Sequence, residues 1–444
     1  MAKDLTTGRE GKTLFLYVLP MLGSMLFQQL YNIADTLVAG KFLGADALAS
    51  VGNSYEITLI FLAFGGGMNM GSGIIIGQLF GAKDHVKVKT AITTSYISVI
   101  TLSIVLTIFG VLACNWMLNA ISTPAHLFHL SETYLDIYIY GLIFLFLYNV
   151  STGIFAALGD TKTPFYFLLF SSTLNIILDI AFVVLLDMGI SGLAWATFLC
   201  QGLSAILAMT SLFRKLKDIT RQVVAPVFSG KILKKIISVA IPSMCQQSFV
   251  SIGNIMVQSI INSFGGAVMA GYAAAIKLNG VSISLISTTG NGVAAFAAQN
   301  IGAKKFDRVL NVRRAALKIL SIISVSMCII YSVFGNKLLT LFIDSSETEV
   351  IKVGVSFLRM VSPFYAVVMF KSVTDAVMRG AGDSRPFMYS TLLDLFLRAL
   401  LSFVFSSFFG YIGIWLSWPF GWTAGTLLAF YFYNHGKWRK LLSK

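Results

Sequence analysis

Two aspartates stand inside segments that are otherwise apolar: Asp35 in QQLYNIADTLVAG and Asp179 in STLNIILDIAF. A carboxylate at mid-bilayer costs about 2.5–3.5 kcal/mol on insertion scales, so each is a functional candidate by default. Asn175 lies four residues before Asp179, hence on the same helical face, and Thr197 in the next apolar segment completes an oxygen-rich group. Two carboxylates in one poorly hydrated pocket do not easily both stay ionised; one takes a proton, or a cation is held between them. Asp35 also admits a plainer reading, a solvated cap near the membrane interface.

Other polar residues at membrane depth suggest a lining. Gln28, Gln29, Tyr31 and Asn32 give one apolar segment a polar face, and Gln246, Gln247 and Asn254 do the same for another. Glu56 and Lys277 hold equivalent positions in the two halves and either pair structurally or meet a ligand. The candidate cleft is therefore Gln28, Tyr31, Asn32, Glu56, Gln247, Asn254 and Lys277, with helix–helix hydrogen bonding as the alternative role for each. Lys371 with Asp375, and Asp394 with Arg398, are four apart and read as local ion pairs.

Chemistry of other kinds is poorly served. His85, His126, His129 and His435 fall in loops or at a segment end, and no HExxH, GxSxG or GxxxxGK[ST] occurs, which argues against an enzyme or an ATP-driven machine. Cys114, Cys200, Cys245 and Cys328 lack CxxC spacing and read as small buried hydrophobes. No cofactor is expected, and no metal beyond Na⁺ at Asp35 and Asp179.

The elements that must position these residues follow from composition. Of 444 residues 56% are hydrophobic and only 12% charged, half the charge density of about 25% usual in soluble domains. Apolar segments long enough to cross about 30 Å of hydrocarbon fall near 13–38, 47–76, 90–117, 132–156, 164–186 and 190–213. A second set falls near 232–260, 269–297, 312–342, 350–377, 386–409 and 412–434. Unbroken apolar runs suit helices, whereas an outer-membrane barrel would alternate polar and apolar residues. The net charge of +14 is not a nucleic-acid signal, because Lys and Arg cluster between the spans. Lys83, Lys87 and Lys89, then Arg214 through Lys235, then Lys304 through Lys318 gather on one side, which predicts that both termini are cytoplasmic. At 1.5 Å per helical residue, Asp35 sits about 5 Å below the outer boundary and Asp179 and Thr197 about 10 Å below it.

The second half repeats the first at an offset of about 222. Pro20 matches Pro242, GQLFGAKDHVKV (77–88) matches AQNIGAKKFDRV (298–309), and ALGDTKTPF (157–165) matches GAGDSRPF (380–387). Six spans per repeat give both halves the same orientation, a parallel repeat about the membrane normal. The expectation is an all-α membrane protein of twelve transmembrane helices in two pseudo-twofold-related six-helix lobes. The lobes would be 1–213 and 232–444, joined by a cytoplasmic linker at 214–231.

The duplicated layout, the segment YNIADTLVAGKFLG, GQLFGAK after span 2 and the ALGDTKTP loop resemble the multidrug and toxic compound extrusion (MATE) transporters over essentially the whole chain. The resemblance implies a secondary active antiporter in the inner (plasma) membrane; its expected partners are small-molecule substrates and membrane lipid, not nucleic acid, and a two-lobe chain can work as a monomer. It would export amphipathic or cationic small molecules in exchange for H⁺ or Na⁺. In the DNA-damage-inducible F-like branch the cation site uses an Asp of span 1, an Asn and Asp of span 5 and a Thr of span 6, which Asp35, Asn175, Asp179 and Thr197 match. The norfloxacin-pump branch also uses acidic residues in spans 7 and 10; here span 7 has no carboxylate and span 10 offers only Asp375. A lipid-linked precursor flippase of a related family is the alternative function.

Overall fold

In lipid only intrasegment hydrogen bonding satisfies the backbone, so the long apolar stretches fold as helices. A computed structural model describes residues 4–219 and 223–442; residues 220–222 of the expected linker lie outside the described residues. The first half comprises α1 (Glu10–Val38), α2 (Ala45–Gly81), α3 (His85–Ala120), α4 (Ala125–Tyr140), α5 (Leu142–Ala157), α6 (Lys162–Ile180) and α7 (Gly189–Ile219). The second comprises α8 (Gly230–Asn262), α9 (Gly266–Gly302), α10 (Phe306–Leu339), α11 (Thr348–Val361), α12 (Tyr365–Gly380), α13 (Arg385–Phe409), α14 (Tyr411–His435) and the short α15 (Arg439–Leu442).

Among the described residues ten helical segments are long and apolar enough to cross a membrane, and α4 with α5, bent by 49° at their junction, makes an eleventh. α14 has the length, 25 residues, but Trp415, Trp418, Trp422 and three glycines dilute its apolar character. With it the chain has the twelve expected spans. The fourth was expected as one apolar run; Gly141, between α4 and α5, is where it bends. Its counterpart in the second half, α11 and α12, is joined through a tight turn at Ser362–Phe364 that contains Pro363.

By internal packing the chain divides into two compact units, one of Met1–Asp4 and Leu19–Met244, the other of Leu5–Val18 and Cys245–Lys444. The division falls inside α1 and α8. Duplication is visible in the backbone. Positive φ recurs at Gly44 and Gly265, Gly159 and Gly382, Gly189 and Gly410, and even at the non-glycine pair Lys83 and Lys304. At Lys83 the left-handed turn closes α2: Asp84 N–H reaches back to Leu79 and Lys83 N–H to Phe80.

Small residues set the helix contacts, as expected where lipid offers no hydrophobic drive between helices. In the first unit a Cβ on Gly153 of α5 would stand 2.6 Å from the Asn69 carbonyl of α2. Asn69 in turn donates to the Asn149 carbonyl at 2.7 Å and to Thr152 Oγ1 at 2.9 Å. In the second unit a Cβ on Gly380 of α12 would stand 2.7 Å from the Ala294 carbonyl of α9.

At the start of α6, Asp160 accepts from Thr163 N–H at 3.1 Å and Thr163 Oγ1 at 2.6 Å, and is paired with Lys215 of α7. Burial pushes its carboxyl up, but the Lys215 and Thr163 bonds outweigh that and hold it below the ordinary value. Asp383, its repeat equivalent, has no such cage; burial holds it above the ordinary value, with Lys437 and Arg385 offsetting this only partly.

The residues before α1 are built into the second unit. Leu5 is fully buried. Its N–H donates to Gln299 Oε1 at 3.0 Å, and Asn300 donates to its carbonyl at 3.2 Å. Lys305 donates to the Thr6 carbonyl at 2.8 Å, and Arg308 to the carbonyls of Thr7 and Gly8 at 3.0 and 2.8 Å.

Candidate functional site

Each half of the first-unit site is delivered by a helix that ends in a widened turn. α1 passes into a π-helical turn at Ala39–Leu43, four residues after Asp35, and α6 into one at Ala181–Leu185, two residues after Asp179. Such turns re-aim side chains and often mark functional positions. Ala39 and Val183, one from each turn, join Val38, Ala47, Ile190, Leu193 and Ala194 in an apolar cluster around the ends of these helices. Tyr134 and Ile137 of α4 belong to the same cluster. The carboxyls thus lie beside packed hydrocarbon.

Asp35, Asn175, Asp179 and Thr197 come together. Asp179 is fully buried, Asn175 is 2% and Thr197 7% exposed, and Asp35 is half-buried. With its amide oriented by the hydrogen-bond network, Asn175 donates to Asp179 Oδ2 at 2.9 Å and accepts from Thr197 N–H at 3.2 Å. One amide therefore ties α6 to α7 and fixes one oxygen of Asp179. The Asp35 and Asp179 carboxyls are close enough to feel one another's charge. Three buried oxygens are left without a protein partner: Asp35 Oδ1, Asp179 Oδ1 and Thr197 Oγ1. Orphaned buried polar atoms are costly, and three at one site call for an occupant. Two carboxylate oxygens and a hydroxyl suit a proton or a hard cation such as Na⁺, which takes oxygen ligands.

The site opens onto a cavity of about 670 Å³ within the first unit. Asp35, Asn175 and Thr197 line it, with Asp179 directly behind, and so do the expected Gln28, Tyr31 and Asn32. Gln29, Tyr55, Tyr134, Tyr138, Tyr148, Asn149 and Gln201 line it as well. Of the five tyrosines only Tyr31 was singled out by sequence. Tyr134 and Tyr138 are four apart on α4, which is a readable shared face, but tyrosines near a span end read equally well as interfacial anchors.

The remaining candidates are elsewhere. Glu56 is exposed and does not line the cavity, although its neighbour Tyr55 does. Gln247, Asn254 and Lys277 belong to the second unit and are exposed; Lys277 Nζ lies 5.7 Å from the Phe342 ring centroid. Both expected ion pairs of the second unit form. Lys371 Nζ is 2.9 Å from Asp375 Oδ2, and Arg398 reaches both oxygens of Asp394 at 3.1 Å. Arg398 also stacks 4.2 Å above the Trp418 ring.

Known proteins resemble this chain along nearly its whole length. A family model described as MatE matches residues 20–181 and 242–404. The chain is 30% identical to the probable multidrug resistance protein YpnP of Bacillus subtilis over 99% of its own length and 98% of that protein's. It is 24% identical to the probable multidrug resistance protein NorM of Thermotoga maritima, over 97% and 93%. Among solved structures it superposes with a TM-score of 0.91 on the outward-facing conformation of a multidrug resistance MATE family transporter, at 24% identity and covering 99% and 98% of the two chains. The two matches to the family model fall one in each half of the duplicated chain: the chain belongs to the MatE family.

Proposed function

We propose that this protein is a cation-coupled exporter of amphipathic or cationic small molecules, with Asp35, Asn175, Asp179 and Thr197 as its coupling site. The observation that carries this reading is the meeting of the half-buried Asp35 and the buried Asp179, which with Thr197 leave three oxygens unpartnered, at a tyrosine-lined cavity. Carboxylates and tyrosine faces both attract organic cations, the latter through the ring quadrupole. Uptake of H⁺ or Na⁺ by Asp35 and Asp179 removes the charge that holds such a substrate and releases it; loss of the ion restores the grip. Antiport follows from competition for the same carboxyls. The names of the relatives, multidrug resistance proteins, support the substrate class. The residue pattern supports the DNA-damage-inducible F-like branch, lobes at 1–213 and 232–444, and cytoplasmic termini in the inner membrane.

The test is efflux of ethidium-like and fluoroquinolone compounds from cells expressing the wild type, Asp35→Asn or Asp179→Asn. Each is run with the proton gradient collapsed and, separately, without Na⁺. Loss of efflux in both variants at normal expression supports the site, and the gradient dependence names the ion. Gradient-driven efflux that survives Asp35→Asn refutes the assignment.

A further inference from the structure

The second unit fills with charge the places that line the first unit's cavity. The repeat aligns Gly380 with Ala157, Pro386 with Pro164 and Gly410 with Gly189. Lys371 then stands where the first unit has the cavity-lining Tyr148, Asp394 where it has Ser172, and Gly425 where it has Ser204. Lys371 is 8% exposed and Asp375 1%. Its ammonium donates to Asp375 Oδ2 at 2.9 Å and Thr391 Oγ1 at 3.1 Å and lies 5.4 Å from the Phe387 ring centroid. Ser390 Oγ adds a hydroxyl 3.4 Å from Asp375 Oδ2. Glycine at 425 leaves room for the lysine stem, since a Cβ there would come within 3.2 Å of Lys371 Cε. An ordinary helix-surface pair four residues apart needs none of this. Carboxylate, hydroxyl and aromatic face together are the shell that holds a free alkali or ammonium ion.

We propose that the second unit contains a monovalent-cation site permanently filled by the chain's own Lys371 ammonium. The site is a property of the second unit alone. Its corollary, that only the first unit exchanges an ion, rests on the function proposed above.

Vacating the site tests it. Lys371→Ala, in the full-length chain and an Asp179→Asn background that silences any ion response of the first unit, is purified in detergent and melted. The salts are choline chloride, whose cation is too large, then NaCl and methylammonium chloride. The expected result is a midpoint several degrees below the parent in choline chloride, recovered in NaCl or methylammonium chloride because a ligand bound only to the folded state stabilises it. Lys371→Met/Asp375→Asn, with the charge removed from both partners, should respond to neither ion. The proposal is overturned if Lys371→Ala melts alike in all three salts, or if the ion response persists when Asp375 is also replaced. A Lys371→Ala protein that cannot be recovered in any of the salts overturns it too, because no small cation then fills the vacancy. The efflux assay tests the first-unit site separately.

Discussion

Arg398→Met asks whether the Asp394–Arg398 pair is a structural unit. Both residues are nearly buried, at 5% and 6% exposed, and the guanidinium binds both carboxylate oxygens at 3.1 Å. Methionine keeps much of the stem's volume but leaves Asp394 unpaired against the backbone of α14, where a Cβ on Gly421 would come within 2.6 Å of its Oδ1. Removing one partner of a buried pair costs about 3–5 kcal/mol. The Trp418 stacking lost at the same time is worth about 0.5–2 kcal/mol. The single variant should therefore lose about 4–6 kcal/mol in a denaturant titration in mixed micelles. Asp394→Leu/Arg398→Met should recover most of the loss, because replacing both charges by apolar groups is often neutral or stabilising. A double variant as unstable as the single, or a single variant within about 1 kcal/mol of wild type, would refute the argument that desolvation of the orphaned carboxylate dominates.

Four further outcomes are expected. Tyr138→Leu removes one ring face from the cavity, and the KM for an organic cation should rise roughly fivefold, for about 1 kcal/mol, with expression unchanged. Gly153→Ala forces a Cβ against the Asn69 carbonyl and should lower stability by about 1–3 kcal/mol in the same titration. Lys215→Met should cost about 1.5–3 kcal/mol at neutral pH. Because the Asp160 carboxyl is held low in the folded protein, that stabilisation is present above its unfolded value of about 3.9 and is lost as pH falls through the folded one, so melting curves of variant and wild type should converge in acid. Asp383→Asn should behave oppositely: burial raises that carboxyl, so ionising it opposes folding at neutral pH, and the variant should melt higher there with an advantage that fades on acidification.

Asp35 and Asp179 were legible because a carboxylate in an apolar run has few roles, and Asn175 because four residues is one helical step. The two ion pairs of the second unit were legible for the same reason. Their surroundings were not: Trp418 under Arg398, or Gly425 beside Lys371, depends on how α14 lies against its neighbours, which no local spacing encodes. The π-helical turns went unread because AGKFL and AFVVL carry no punctuation distinguishing them from plain helix. The bend at Gly141 was hidden inside one continuous apolar run, since a lone glycine is common in membrane helices. The basic linker suggests a lobe boundary by composition, whereas the packing division at Val18–Leu19 and Met244–Cys245 lies inside continuous helices and leaves no mark in the sequence.

The segment Leu5–Gly8 is held by residues close to 300 positions further along, with sequence separations of 294 for Leu5 to Gln299 and 301 for Thr7 to Arg308. Chains emerge from the ribosome N-terminus first, at about 5–20 residues per second. The opening residues of this protein are therefore made long before the side chains that secure them, and they wait until α10 has been synthesised and inserted. Their docking cannot precede synthesis of the end of α9 and the start of α10. A fragment ending at the linker would present this segment, including the otherwise buried Leu5, without the side chains that hold it.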